Sequence, residues 1–148
     1  MPLDNPRFRE SYERLFGARV TMGESADRFF ERFYDLFLED PEVAELFAST
    51  DMQRQVQMLK KSLFQLVSFY VLNEPSAELS RLAEIHKAVG VSPVMFDMWM
   101  QALLKTVEEF DPEFNELTEL SWCWAFAPAM TYMKLMLRED PLAGGAAC

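Results

Sequence analysis

The chain contains one histidine, His86, and two cysteines, Cys123 and Cys148. This set is too small for a zinc site, which usually takes several histidine or cysteine ligands. A serine or cysteine nucleophile would need a histidine beside it, and the sequence has neither a Gly-x-Ser-x-Gly motif nor a glycine-rich phosphate loop. Neighbouring carboxylates such as Glu108 and Glu109 fall on a polar helix face, which is typical of solvated side chains. The residue types therefore leave His86 as the candidate metal ligand.

His86 lies on the apolar face of a short predicted helix, four residues after Leu82 and three before Val89. Two interpretations fit this position: a core histidine that bonds within the protein, or a metal ligand. One imidazole suffices for a metal that arrives in a macrocycle, because haem supplies four nitrogens and needs only an axial ligand. The ten methionines and thirteen phenylalanines also have two interpretations. They could form an adaptable core, or they could line a pocket around a large planar ligand.

The composition predicts one helical globular domain. The chain has 148 residues, 50% of them hydrophobic and 26% charged, as in ordinary globular proteins. Leucine occurs 18 times, whereas valine, isoleucine and threonine together occur 15 times and glycine 5 times, which favours helices over strands.

Charge and segment composition predict where the protein works. A net charge of −10 disfavours nucleic acid as a partner. No stretch approaches the roughly 18 consecutive apolar residues of a membrane span. The first ten residues lack the apolar segment of a secretion signal, and two scattered cysteines do not form a disulfide framework. We therefore expect a cytoplasmic protein that binds neither membranes nor nucleic acids.

Apolar periodicity and helix-boundary residues predict six long helices and one short helix, with no strand. Asparagine, aspartate or serine followed by proline predicts several starts, and glycine predicts two ends. The predicted helices span residues 6–16, 24–39, 41–46, 52–72, 77–89, 93–110 and 116–138. Pro128 predicts a local kink in the last one. We expect an all-α domain over residues 1–140 and a flexible tail over 141–148.

The spacing of residues around the short helix resembles that of a bacterial single-domain globin, and the resemblance covers roughly residues 5–137. Pro41 begins the short helix, and Phe47 follows six residues later, where globins place the phenylalanine that stacks on haem. Phe33 precedes Pro41 by eight residues, where globins place a residue that faces the bound gas. A one-residue shift of the helix would exchange Phe33 with Tyr34.

The second half of the chain extends the resemblance. Leu82 and His86 match the leucine and the proximal histidine of globins, and Phe96 follows His86 by ten residues, as an aromatic commonly does in the family. The run from Ser121 to Phe126 resembles the Ala-Trp-x-x-Ala-Tyr start of the last helix in the flavohaemoglobin-type branch. That branch supports its histidine with tyrosine and glutamate, whereas the matching positions here are Phe96 and Leu137. We therefore expect His86 to donate its free N–H to a backbone carbonyl instead.

The distal residue of globins is histidine or glutamine, followed four positions later by an apolar residue. Gln55 with Leu59 fits this pattern, whereas Gln53 and Gln57 are followed by Gln57 and Lys61. An amide at position 55 offers a hydrogen bond to bound oxygen. Because Phe33 offers none, the resemblance implies moderate oxygen affinity and fast release, and Phe33→Tyr is expected to slow release several-fold.

The resemblance implies a haem b site with His86 as the iron ligand and reversible binding of oxygen, carbon monoxide or nitric oxide. Two alternatives stay open: nitric oxide dioxygenation with a separate reductase, and a haem-free globin-fold signalling module. Met58 or Met52 could supply a sixth iron ligand, and the haem propionates could pair with Arg54, Arg81 or Lys87. The expected haem contacts are Phe33, Phe37, Phe47, Gln55, Met58, Leu59, Leu82, His86, Val91, Phe96 and Met100.

Overall fold

The structure is a computed structural model that describes residues 5–17, 23, 26–72 and 76–138. Over these residues it contains seven α-helices and no strand, which confirms the predicted all-α class. The predicted tail over 141–148 and the predicted break after the fourth helix lie outside the described residues. The helices are α1 (Pro6–Phe16), α2 (Asp27–Phe37), α3 (Pro41–Leu46), α4 (Met52–Leu72), α5 (Ala77–Ala88), α6 (Pro93–Phe110) and α7 (Glu116–Met136).

Side-chain caps explain most of the helix starts. The side chains of Asn5, Asp40 and Ser76 each accept a hydrogen bond from a backbone N–H in the first turn of the following helix. Asn115 forms a capping box with Thr118 at the start of α7. These local contacts explain why the boundaries could be predicted from short motifs.

Three of the seven helices, α2, α5 and α7, end one or two residues before their predicted ends, and α2 ends at Phe37 instead of residue 39. Gly17 and Gly90 both have φ of +85°, a left-handed conformation that favours glycine and ends α1 and α5. α5 ends at Ala88, one residue before its predicted end, and α7 ends at Met136, two residues before its predicted end. Terminal turns often loosen in this way. α7 continues through Pro128, and the kink predicted there stays a prediction.

α7 is the central helix and packs against α1, α4, α5 and α6. Its inner face alternates large aromatic with small residues: Trp122 and Phe126 are fully buried, as are Ala125 and Ala129. The rings of Trp122 and Phe126 stack with centroids 5.8 Å apart. The small residues allow neighbouring helices to approach while the aromatic rings fill the core.

α2 contributes a second aromatic layer and packs against α4 and α6. Five of its eleven residues are buried aromatics: Phe29, Phe30, Phe33, Tyr34 and Phe37. α5 is much less embedded, because only Leu79 and Ala83 of its twelve residues are buried. Within the described ranges, none of the helices has the length and apolar character that a membrane crossing requires.

A buried polar cluster joins α1 to the corner between α6 and α7. Asp111 is 2% exposed and accepts hydrogen bonds from the hydroxyl of Ser11 at 2.6 Å and from Nε of Arg14 at 2.8 Å. Nε1 of Trp122 donates to the same Ser11 hydroxyl at 3.0 Å. Burial by itself raises the pKa of Asp111, but the hydrogen bonds from Arg14, Ser11 and the N–H of Glu113 outweigh it and lower that pKa overall.

Candidate functional site

His86 lies in the last turn of α5, and its ring is held by the preceding turn. Nδ1 of His86 is 2.7 Å from the backbone carbonyl oxygen of Leu82. Because a carbonyl oxygen only accepts, Nδ1 must carry the hydrogen, and the lone pair of a neutral ring is then on Nε2. The ring centroid lies 5.7 Å from that of Phe96 on α6. The half-buried imidazole is thus oriented through Nδ1, and Nε2 is the nitrogen that could bind a metal.

The corner between α5 and α6 folds back onto His86. The left-handed conformation of Gly90 turns the chain, and the N–H of Val91 donates to the backbone carbonyl of His86 at 3.2 Å. This turn brings the start of α6 to the histidine. Phe96 is buried, and Val91 and Met100 are half-buried against the core.

Gln55 and Tyr34 form a second polar pair, between α4 and α2. Nε2 of Gln55 donates to the hydroxyl of Tyr34 at 3.1 Å. Gln55 is half-buried and Leu59 is buried, whereas Gln53 and Gln57 are exposed. The first turn of α4 therefore directs only Gln55 of the three glutamines toward the interior.

From the sequence, Tyr34 was only the residue that a one-residue shift would exchange with Phe33, yet the structure buries it to 5% exposure beside Gln55. Burial raises the pKa of Tyr34 to about 12, although the hydrogen bond from Gln55 opposes the shift. The phenol therefore stays protonated at neutral pH, and it can donate its own hydrogen while it accepts one from Gln55. The available sequence signal was its position next to Phe33, which could not show which of the two rings meets Gln55.

Aromatic rings surround this pair. The ring of Phe47 lies 5.8 Å from that of Tyr34 and 6.3 Å from that of Phe37. Phe33 is fully buried, 5.5 Å from Phe37. The structure thus brings Phe33, Phe37 and Phe47 together near Gln55, while Phe47 itself stays half-buried.

Helix α6 links the aromatic group to His86. The ring of Phe33 lies 5.5 Å from that of Trp99, which follows Phe96 by one turn on α6. Phe96 contacts His86 in turn. Met58 lies outside both groups, with 54% of its surface exposed, and its predicted haem contact stays a prediction.

The residues present fit haem better than a bare metal ion. Among the described residues, no group of three or more His, Cys, Asp and Glu is placed to hold a metal. A metal at His86 would therefore have to bring most of its own ligands, as the iron of haem does. The aromatic side chains that adjoin the imidazole and those that adjoin the Gln55–Tyr34 pair suit an apolar macrocycle.

Helices in this arrangement, with one oriented histidine and an amide–phenol pair, define a protein of the globin class. The globin family model matches residues 30–133, and the chain belongs to the globin family. The chain is also similar to the crystal structure of the protein PA3967 from Pseudomonas aeruginosa PAO1, described as structurally highly homologous to a human hemoglobin. The two share 28% sequence identity and a TM-score of 0.75, over 90% of this chain and 97% of that one. A comparison with curated proteins gives no match.

Proposed function

We propose that this globin binds haem b through Nε2 of His86 and thereby binds a diatomic gas reversibly. The observation that carries the proposal is the 2.7 Å contact between Nδ1 of His86 and the carbonyl oxygen of Leu82, which leaves Nε2 as the ligating atom. When bound, haem supplies an iron centre that takes up oxygen, carbon monoxide or nitric oxide. Membership of the globin family supports the same cofactor.

The partner of Nδ1 favours reversible binding over oxygen activation. A carboxylate partner would draw the proton from the imidazole and increase its basicity. The backbone carbonyl of Leu82 is a neutral acceptor, and the neighbouring ring of Phe96 offers no polar group to the histidine. His86 therefore behaves as a neutral imidazole, which is a weaker electron donor than a carboxylate-supported one.

The hydroxyl of Tyr34, held by Gln55, supplies the hydrogen bond to bound oxygen that the sequence predicts from Gln55 itself. The amide of Gln55 donates to the Tyr34 oxygen, and this fixes the phenol while leaving its own hydrogen to donate. A bound oxygen molecule carries more negative charge than bound carbon monoxide. The Gln55–Tyr34 pair therefore stabilises oxygen over carbon monoxide.

Tyr34→Phe is expected to speed oxygen release by about 2- to 12-fold, the range that corresponds to one neutral hydrogen bond. Release of carbon monoxide is expected to change much less. Stopped-flow displacement of each gas from the reduced, haem-loaded protein measures both rates. Phe33→Tyr is the matched variant, because it adds a phenol one position away. Slower release in Phe33→Tyr combined with no change in Tyr34→Phe would contradict the role of Tyr34.

Absorption spectroscopy of the wild-type protein tests the proposed function directly. After addition of haemin and gel filtration, we expect a strong Soret band that shifts on reduction and shifts again under carbon monoxide. Without gas, the reduced protein is expected to show a broad five-coordinate band, because His86 is the only histidine and Met58 is largely exposed. A protein that leaves the column colourless would favour the haem-free module, and low-spin bands without gas would indicate a methionine ligand.

A further inference from the structure

Helix α7 is apolar on its outer face as well as on its inner face. Between Leu120 and Met133 the sequence contains no charged residue. The core explains the inner face, where Trp122 is fully buried. It does not explain the outer face, because Trp124 is 57% exposed and Leu117 and Leu120 are exposed as well. A helix that is apolar all round is normally covered on every side, so the outer face of α7 indicates a further contact.

The apolar residues of the outer face form one continuous stripe along the helix. They follow one another in steps of three, four, three, four and four residues. The first four steps have the spacing of the apolar seam of a coiled coil. All of these residues are exposed or half-buried. The outer stripe consists of Leu117, Leu120, Trp124, Ala127, Thr131 and Leu135.

Helix α6 provides the comparison, because it is of similar length and also has an exposed face. Its exposed residues Asp97, Gln101, Lys105 and Glu108 recur with helical spacing, and all of them are charged or polar. Single apolar residues are common on protein surfaces, whereas a continuous apolar patch marks an interaction site. The outer stripe of α7 is therefore a candidate interface, and the exposed face of α6 is not.

We propose that the outer stripe binds the outer stripe of a second copy of this chain, with the two α7 helices antiparallel. The two-fold axis passes between Ala127 and Pro128, near the middle of the stripe. An interface of this symmetry uses the same patch on both copies, so the patch must complement itself. This inference is independent of haem binding and of the proposed function.

The outer stripe complements itself in this register. Trp124 of each copy lies opposite Thr131 of the other copy, so the largest residue of the stripe meets a small one. Leu120 lies opposite Leu135, and both are exposed in the single chain. Matching large residues with small ones and apolar residues with apolar ones is what allows two helices to pack closely.

The charges at the two ends of α7 favour the antiparallel orientation. Glu116 and Glu119 are exposed in its first turn, whereas Arg138 follows its last turn. An antiparallel pair brings Arg138 of each copy beside Glu116 of the other, while a parallel pair would bring the acidic ends together. Lys134 lies outside the seam, because its Nζ donates to Asp97 at 2.6 Å.

The outer stripe is long enough for a specific dimer of modest affinity. From Leu117 to Leu135 the helix rises by about 27 Å, at 1.5 Å per residue. Two such faces in contact cover an area on the order of 1,000 Å² in total, which is the lower limit for a specific interface. We therefore expect a dissociation constant in the micromolar range.

Analytical ultracentrifugation of the full-length protein over a range of concentrations tests the proposal. We expect the mass to rise from that of the 17.2 kDa chain to twice that value. Trp124→Glu is expected to raise the dissociation constant at least about 100-fold, because the charge enters the symmetric interface twice. Gln101→Glu is the matched control, since it adds the same charge on the exposed face of α6 and should leave the dimer unchanged.

Crosslinking tests the orientation without disturbing the seam. In a chain with Cys123→Ser and Cys148→Ser, a cysteine is introduced by Ala127→Cys or by Leu120→Cys and treated with a short bismaleimide. Ala127→Cys is expected to crosslink efficiently, because position 127 lies beside the axis. Leu120→Cys is expected to stay uncrosslinked, because the two copies of position 120 lie about 22 Å apart along antiparallel helices.

Four outcomes would overturn the proposal and leave haem binding unaffected. Efficient crosslinking at both positions would indicate parallel helices, and a dimer that tolerates Trp124→Glu would use another surface. A wild-type protein that stays monomeric at every concentration would show that the outer stripe does not bind a second copy. If that monomer dimerises after removal of residues 139–148, or binds vesicles of phosphatidylcholine, the end of the same chain or a lipid surface covers the stripe instead.

Discussion

Replacing His86 with alanine is expected to weaken haem binding by more than about 100-fold, because loss of a residue that merely supports a ligand already costs about 10- to 100-fold. The variant removes the only imidazole in the chain, so no other histidine can take its place. The Soret band of the haemin-loaded protein and the rate of haem loss measure the effect.

Added imidazole provides the rescue experiment for His86→Ala. The substitution leaves a space of about the ligand's size, and free imidazole at millimolar concentration is expected to restore a histidine-like spectrum. Lys87→Ala is the matched control, since Lys87 neighbours His86 on α5 and its side chain is exposed. A His86→Ala protein that holds haem with an unchanged spectrum would exclude His86 as the iron ligand.

Asp111→Ala is expected to lower the free energy of unfolding by about 3 kcal/mol, the lower end of the range for breaking a buried ion pair. The carboxylate is completely covered, and the side chain of its partner Arg14 is 26% exposed, so the arginine left behind stays partly hydrated. The substitution also leaves the buried hydroxyl of Ser11 without its acceptor. Urea denaturation of the haem-free protein measures the change without interference from the cofactor.

An exposed pair provides the control for Asp111. Arg32 and Glu109 form a similar two-bond contact, with Nε to Oε1 at 2.8 Å and Nη2 to Oε2 at 3.0 Å, but both side chains are more than a third exposed. Glu109→Ala is expected to lower the free energy of unfolding by less than about 1 kcal/mol. Equal losses of unfolding free energy in Asp111→Ala and Glu109→Ala would show that burial does not strengthen the Asp111 contacts.

The Asp111 cluster also makes the stability of the folded protein depend on pH. The pKa of Asp111 is lower in the folded protein than its ordinary value, so the folded state binds this proton less readily than the unfolded chain. Its stabilising effect is fully present above the unfolded pKa of about 3.9 and is lost as the pH falls through the folded pKa. Asp111→Ala is therefore expected to flatten the fall in stability below about pH 4.

The sequence could predict the helices because their boundaries depend on neighbouring residues. Asp40 next to Pro41 and the left-handed Gly90 are signals that act within one turn, and the structure has a helix start and a helix end at these positions. The spacing of residues around Pro41 and His86 predicted the class of protein, and the globin family model, which matches residues 30–133, confirms it.

The contacts of the site were harder to predict, because they join residues that are distant in sequence. Nothing near Tyr34 indicates that its hydroxyl meets Gln55, 21 residues later. Ser92 precedes Pro93, a pair that predicts a helix start, but its side chain makes no capping hydrogen bond. Asp111 precedes Pro112, a pair that predicts the end of a helix, whereas its contact with Ser11 joins residues 100 positions apart.

Helix α5 has few buried residues, and this affects how the proposed cofactor would enter and leave. Leu79 and Ala83 are the only fully buried residues of this helix, Leu82 packs partly buried against the core, and a hydrogen bond between Ser80 and Tyr132 links the helix to α7. A helix held this lightly can detach in a local opening while the central helices remain folded. Because His86 lies on α5, the same local opening would break the proposed bond to iron and expose the proposed haem site to solvent.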